Sequence, residues 1–368
     1  MNKKLIYFVS HPIQYQAPLL RMISLDPDIT LKVVFESDFS TRSYFDSGFK
    51  KRIEWDVPLR EGYDSSLRSE VIIHEEIENS DVIWVHGWQS SLLRKVIKIA
   101  AKLQKPVLMR SENWTGAMPD GNWVRRILKR TYLRRIFRDC SGFLVIGSKN
   151  REYYLDHGVP AEKLFDMPYA VDNKFFLDRS KSVKMEDFKA RLGLDTNRKV
   201  ILFAGKMMPR KNPQLLIAIW KKLAAQMPKP PLLVFVGDGE MRVNLEKSSP
   251  EGIIYVGFQN QSSMPLYYAS ADVFVLFSEK EPWGMAINEA MASGTSVLAS
   301  NQCGAAYDLI DQYTGRMVDI NDERVLLNAF EEVLENSNQM GKAAQQKVLN
   351  WDFDADLIGL KKALKMVL

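Results

Sequence analysis

Two glutamates, Glu281 and Glu289, are separated by seven residues in the string Ser278-Glu279-Lys280-Glu281-Pro282-Trp283-Gly284-Met285-Ala286-Ile287-Asn288-Glu289-Ala290-Met291-Ala292-Ser293-Gly294. An apolar run, Val273–Leu276, precedes them and reads as a strand; a loop with Pro282 and Gly284 follows; a helix is predicted over Met285–Ser293, closed by Gly294. The first N–H groups of a helix have no intrahelical partner, and its N-terminus carries partial positive charge. Gly284 removes side-chain bulk where a ligand could approach these groups, which suits a diphosphate. A carboxylate accepts two hydrogen bonds and so fits a pair of vicinal hydroxyls. One glutamate on each side of a diphosphate would hold a sugar at one end and a ribose at the other.

A second cluster is Gly205-Lys206-Met207-Met208-Pro209-Arg210-Lys211-Asn212, between a strand pattern and a helix pattern. Small and basic residues at the carboxyl end of a strand suit phosphate oxygens, which singles out Lys206 and Lys211. The next strand closes on Val236-Gly237-Asp238-Gly239, where the glycines permit tight turns beside a ligand.

In the first half of the chain the residues that face a ligand are harder to fix. Ser10-His11-Pro12-Ile13-Gln14-Tyr15 follows the first strand pattern, and His11, Gln14 and Tyr15 are candidates for contact with an acceptor or a diphosphate. His11 serves equally well as a strand-end cap. His86 ends the strand Val82–His86 and is either an acceptor contact or a satisfied structural histidine. Arg110 and Glu112 follow the strand Val107–Met109 and are further candidates. Trp123–Arg138 carries seven basic residues and no acid, with apolar positions 123, 127, 128, 132 and 136 on one broad face. Such a helix can lie on anionic lipid, or it can pack its apolar face in a core and solvate its charges. No recognition motif for nucleic acid accompanies the charge.

These residues need a scaffold of strands and helices in alternation. Leu5–Val9, Leu31–Phe35, Val82–His86, Val107–Met109 and Phe143–Ile146 are apolar, β-branched runs with helical patterns such as Ser90–Leu103 between them. The pattern restarts with Lys199–Ala204, Pro231–Val236, Ile253–Val256, Val273–Leu276 and Ser296–Ala299. The chain of 368 residues therefore divides into an acceptor domain over 1–172, a linker region over 173–198, a nucleotide-binding domain over 199–350, and a helix over 351–368 that is expected to return to the first domain. Open α/β sheets bind ligands at the carboxyl ends of their strands, so two facing sheets predict a cleft suited to two substrates. Net charge is +5, composition is that of a soluble globular protein, and Cys140 and Cys303 do not form a CxxC pattern, which predicts a reducing compartment. No run of 18 apolar residues is present to span a bilayer.

The string E-P-W-G-M-x-x-x-E-A-M-A-S-G, with its E-x7-E spacing at Glu281 and Glu289, resembles the retaining glycosyltransferases of the GT-B fold, family 4. That resemblance implies an α/β fold of two facing Rossmann-like domains. It implies that Glu281 contacts donor-sugar hydroxyls, Glu289 the ribose, and Gly284, Met285, Ala286 and Ile287 the diphosphate. Gly205–Asn212 is similar to the family's G-R-x-x-x-x-K-G loop, with Lys206 where arginine is usual and Asn212 where glycine is common. Gly237 and Asp238 match its V-G-D-G loop, and Gly257 and Phe258 look like the segment lining the base. Val145–Ser148 and Pro168–Asp172 match further segments, so the likeness runs from about residue 143 to 320. Family members often carry a histidine near Arg110 and Glu112; this chain has none there.

By resemblance, the expected reaction is retaining transfer of a sugar from a UDP- or GDP-sugar to a glycan, a glycolipid or another hydroxyl acceptor, in surface-polysaccharide or glycoconjugate synthesis. No cofactor or metal is expected, since Lys206, Lys211 and a helix N-terminus supply the positive charge. The expected place is the cytoplasm, with a peripheral position on the inner face of the plasma membrane if the basic helix binds lipid. Two rival readings use the same scaffold: a nucleotide-sugar epimerase, and a nucleotide-sugar-binding protein without catalysis.

Overall fold

A computed structural model describes residues 2–117 and 122–368. The chain forms two compact units, one of Met1–Tyr44, Val57–Tyr169 and Asp352–Leu368, the other of Phe45–Asp56 and Ala170–Trp351.

Strands run in chain order as β1 (Lys3–Val9), β2 (Ile29–Phe35), β3 (Tyr44–Asp46), β4 (Lys51–Ile53), β5 (Asp64–Leu67), β6 (Val82–His86), β7 (Val107–Arg110), β8 (Gly142–Val145) and β9 (Leu164–Asp166). In the first unit they build a parallel seven-stranded sheet in the order β5-β2-β1-β6-β7-β8-β9. Its central strands are buried on both faces because helices cover both, which is why Leu5–Val9 and Val82–Val85 are continuously apolar rather than alternating. One face meets the helix Ser91–Lys102; the other meets Ala17–Ser24 and the C-terminal helix Phe353–Val367, whose Leu360, Ala363 and Leu364 join that core.

The second unit adds β10 (Val200–Ala204), β11 (Leu232–Val236), β12 (Ile253–Gly257), β13 (Val273–Leu276), β14 (Ser296–Ser300) and β15 (Gly315–Val318). They form a parallel sheet in the order β12-β11-β10-β13-β14-β15. Strand order reverses between β1 and β6 in the first sheet and between β10 and β13 in the second. Such switch points leave a crevice beyond the strand ends, where ligands sit in open α/β sheets.

Three expectations need revising. Residues 173–198, read as a linker region, belong to the second unit: the helices Asn173–Ser180 and Met185–Arg191 bury Phe176 and Phe188, whose rings meet Tyr268 and Tyr267. A charged exterior on short helices hid this packing. Phe45–Asp56, assigned from sequence to the first domain, belongs to the second unit, where it carries the two-stranded β3–β4 ladder. The helix Trp123–Arg138 is anchored by Leu133 and Phe137, not by the broad apolar face read from its sequence. Trp123, Ile127 and Leu128 are 72%, 55% and 65% exposed.

Candidate functional site

Beyond β10, β11 and β12 the backbone is stitched in a row. Gly205 N–H donates to Val236 O at 2.9 Å, Gly237 N–H to Gly257 O at 2.8 Å, and Met207 N–H to Asp238 O at 2.8 Å. Gly237 has φ +130°, and a Cβ there would lie 1.9 Å from the Gly205 carbonyl oxygen, so only glycine lets these two loops approach. Asp238 is held by Arg242, with Nη1 3.1 Å from Oδ2.

The loop after β10 and the loop after β13 meet at the switch point. Arg210 accepts the Glu279 N–H at its carbonyl (2.8 Å), and its guanidinium donates to Lys280 O (2.8 Å) and Glu281 Oε2 (3.3 Å). Lys211 forms an ion pair with the same Glu281 oxygen, and the buried Ser278 hydroxyl donates to it at 3.1 Å. Glu281 is thus fixed before any ligand arrives. Asn212 adopts φ +50°, ψ +45°, and its side-chain amide donates to Phe277 O at 3.0 Å. The left-handed conformation explains why glycine is common there and why asparagine serves.

Gly284, at φ +102° and ψ +60°, precedes the helix Met285–Ala292, and its carbonyl accepts the Ile287 N–H at 2.8 Å. A Cβ at this position would come 3.1 Å from Leu276 Cδ2. Glu289 lies on the same helix and accepts the Tyr268 hydroxyl at 2.7 Å. Burial pushes its carboxyl up to about 6, with the Tyr268 hydrogen bond pulling the other way. Lys206 and Lys211 thus follow β10, and Glu281, Gly284–Ile287 and Glu289 follow its neighbour β13, with Lys211 and Glu281 in direct contact. Sequence reasoning missed Arg210, Ser278 and Tyr268, each of which acts on a glutamate it did find. Arg210 stood inside the quoted basic loop, so its charge was the available signal.

The first unit gathers its own polar group near the β1/β6 switch point. The Tyr7 hydroxyl is 2.8 Å from His86 Nδ1, and His86 Nε2 is 3.7 Å from Glu112 Oε1. Tyr169 donates to the same Glu112 oxygen and lies 3.3 Å from the Tyr15 hydroxyl. Burial drives the Glu112 carboxyl up, but His86 and Tyr169, with Arg110 behind them, outweigh it and hold the group below the usual range. Glu112 remains partly exposed. His11 bonds Ser10 Oγ through Nδ1 at 2.9 Å and packs its ring on Phe39. Burial, then the nearby His86, lowers its pKa. Gln14 is half-buried in the same loop.

Arg110 is a correction. It is 2% exposed and points into the interior, donating to Met167 O, Pro168 O and Asp356 Oδ1 at 3.1, 2.8 and 2.9 Å. It braces the fold and presents no charge to a ligand.

Residues 184–347 match the family described as glycosyl transferases group 1. The chain is 25% identical over 213 residues to alpha-monoglucosyldiacylglycerol synthase of Streptococcus pneumoniae, covering 55% of this chain and 48% of that protein. It is 26% identical over 248 residues to the GDP-mannose-dependent alpha-(1-6)-phosphatidylinositol monomannoside mannosyltransferase of Mycolicibacterium smegmatis, covering 63% and 64%. The matches thus span about half to two thirds of these relatives' own length. In fold, the crystal structure of Anabaena HepE in complex with UDP superposes with a TM-score of 0.71 over 99% of both chains, at 16% identity. The likeness in sequence to glycosyl transferases group 1 thus lies within the second unit, and the likeness in fold to HepE extends over the whole chain.

Proposed function

We propose that this protein is a retaining, family 4 glycosyltransferase that moves a sugar from a UDP- or GDP-sugar to a glycan or lipid-linked hydroxyl acceptor. The observation that carries the reading is the pair Glu281 and Glu289 flanking the amino end of Met285–Ala292, with Lys211 on Glu281. A diphosphate at that helix end would meet Lys206, Lys211 and the Met285 and Ala286 N–H groups. Glu281 would take donor-sugar hydroxyls, and Glu289 the ribose.

In the reaction the bond from the anomeric carbon to the diphosphate oxygen breaks, and a bond to the acceptor oxygen forms on the same face. The acceptor's proton passes to the departing phosphate oxygen. The protein supplies position and positive charge, and this charge takes the place of a metal ion. Glu112, held ionised beside His86, Tyr15 and Tyr169, is assigned with His11 and Gln14 to acceptor hydroxyls. A lipid-linked acceptor is supported by relatives named for a glucosyl diacylglycerol and a phosphatidylinositol monomannoside. It is also supported by the exposed Trp123, Ile127 and Leu128 among seven basic residues, which suit an anionic bilayer surface and a peripheral place on the cytoplasmic leaflet.

The test is thermal unfolding in EDTA with UDP, GDP, ADP, CMP and their common sugar conjugates. One nucleoside diphosphate should raise the melting temperature selectively. No shift with any of them would contradict the donor site.

A further inference from the structure

The segment Phe45–Asp56 reads FDSGFKKRIEWD, an acid, a turn glycine and three consecutive basic residues between aromatics. Its fold is local and tight. Asp46 Oδ1 accepts the N–H groups of Gly48 and Phe49 at 2.8 and 2.9 Å, closing a turn. The same carboxylate faces Lys206, whose Nζ lies 2.9 Å from Oδ1 and 3.0 Å from Oδ2. The Phe49 ring covers this ammonium at 4.9 Å from its centroid.

The contacts continue along the loops assigned to the donor. Phe49 and Trp55 meet the Phe258 ring edge to face at 5.1 and 6.2 Å, and Lys51 Nζ stands 5.3 Å over it. Lys51 also approaches Asp238 at 3.9 Å. Asn260 donates to Glu54 O at 2.6 Å, and Asp56 accepts the Ser262 N–H and hydroxyl. The residues that the segment meets, Lys206, Asp238, Phe258, Asn260 and Ser262, lie in or beside the loops after β10, β11 and β12.

A lysine placed for a phosphate therefore already holds an anion. Two backbone N–H groups and an ammonium around two oxygens are what a phosphate would receive there. Burial alone would raise the Asp46 carboxyl, but the Phe49 and Gly48 N–H groups and Lys206 hold it below the usual range, so it is ionised at neutral pH.

We propose that Asp46 is a resident carboxylate ligand of Lys206 that the donor diphosphate must displace, so that the 45–56 segment is a latch on the donor site and sets its affinity. The inference rests on the donor reading of the β10/β13 crevice. A diphosphate carries more charge than one carboxylate and also reaches Lys211 and the helix N-terminus, so it competes where a weaker anion does not. Release of Asp46 frees Phe49 and Trp55 from Phe258, which uncovers the segment assigned to the base.

Amide hydrogen exchange and calorimetry on the full chain test this with UDP, GDP and ADP as probes. With the nucleotide that binds, residues 205–211 and 284–289 should exchange more slowly while 45–56 exchanges faster. Asp46→Asn keeps the turn's oxygen acceptor and removes only the charge. It should bind that nucleotide, and inorganic pyrophosphate, about five-fold more tightly, as expected for loss of one partly exposed competing ion pair. Slower exchange in 45–56 on binding, or equal or weaker binding by Asp46→Asn, overturns the latch and leaves the donor site standing. If no nucleotide alters exchange in 205–211 or 284–289, the donor reading falls and the latch with it.

Discussion

Arg110 and Asp356, 246 residues apart, share a buried ion pair of 2.9 Å that ties the end of β7 to the C-terminal helix. Burial pushes the Asp356 carboxyl up to about 7; Arg110 opposes that rise. A carboxyl raised in the fold binds a proton that the unfolded chain has released between pH 3.8 and about 7, so its contribution to stability falls as pH rises through that window. Asp356→Asn should flatten this part of the pH profile in urea unfolding. Arg110→Met leaves a buried carboxylate unpaired and should cost about 3–5 kcal/mol at pH 8. Neither variant should change nucleotide affinity in whatever fraction remains folded.

Glu281 is already restrained by Lys211, Arg210 and Ser278, which holds its carboxylate in place for the role proposed for it toward donor hydroxyls. Glu281→Gln should lower kcat by about 10²–10³-fold, the size of effect seen when a preorganised polar group is lost. The Kd for the free nucleoside diphosphate should stay within about three-fold. Unchanged turnover would remove Glu281 from the chemistry.

Glu289 makes a separable prediction. Its carboxyl titrates near 6, so nucleotide affinity should fall as pH drops through 6 and the ribose loses its acceptor. The charge at neutral pH is held against burial, and Glu289→Gln should stabilise the free protein by about 2 kcal/mol at pH 7. The same change should weaken nucleotide binding about ten-fold and abolish the pH dependence below 6. Calorimetry and thermal melts on one preparation check both signs.

The helix Trp123–Arg138 should bring the protein to vesicles containing anionic lipid and not to neutral ones. Each basic residue near such a surface is worth about 1 kcal/mol, so changing four of the seven to Gln should nearly abolish sedimentation with vesicles. Binding that survives this change and high salt would point to another surface.

Much of this was legible in the residues. The central strands were read within a residue or two because they are continuously apolar and rich in β-branched residues: Val82–His86 and Val273–Leu276 coincide with β6 and β13. The short strands β3, β4, β5, β9 and β15 were missed. Asp64–Leu67 is polar and lies at a sheet edge, and three or four residues carry no period to detect. The loops proposed to bind the donor stand out in sequence because glycine and charge fall at strand ends. The partners of those loops do not: Asp46 reaches Lys206 across 160 positions, and Tyr268 reaches Glu289 from a neighbouring helix. Arg110 was misplaced for a related reason. A cation at a strand end looks like a ligand contact until the buried acid from the C-terminal helix is seen beside it.

The most direct test of the central claim is consumption of sugar nucleotides by the purified protein in EDTA, followed by release of nucleoside diphosphate in the presence of a lipid or glycan extract. One UDP- or GDP-sugar should be consumed, with its sugar recovered on an acceptor, and Glu281→Gln should stop the transfer. Folded protein that consumes none of them, across a full donor panel and with acceptor extract present, would contradict the assignment.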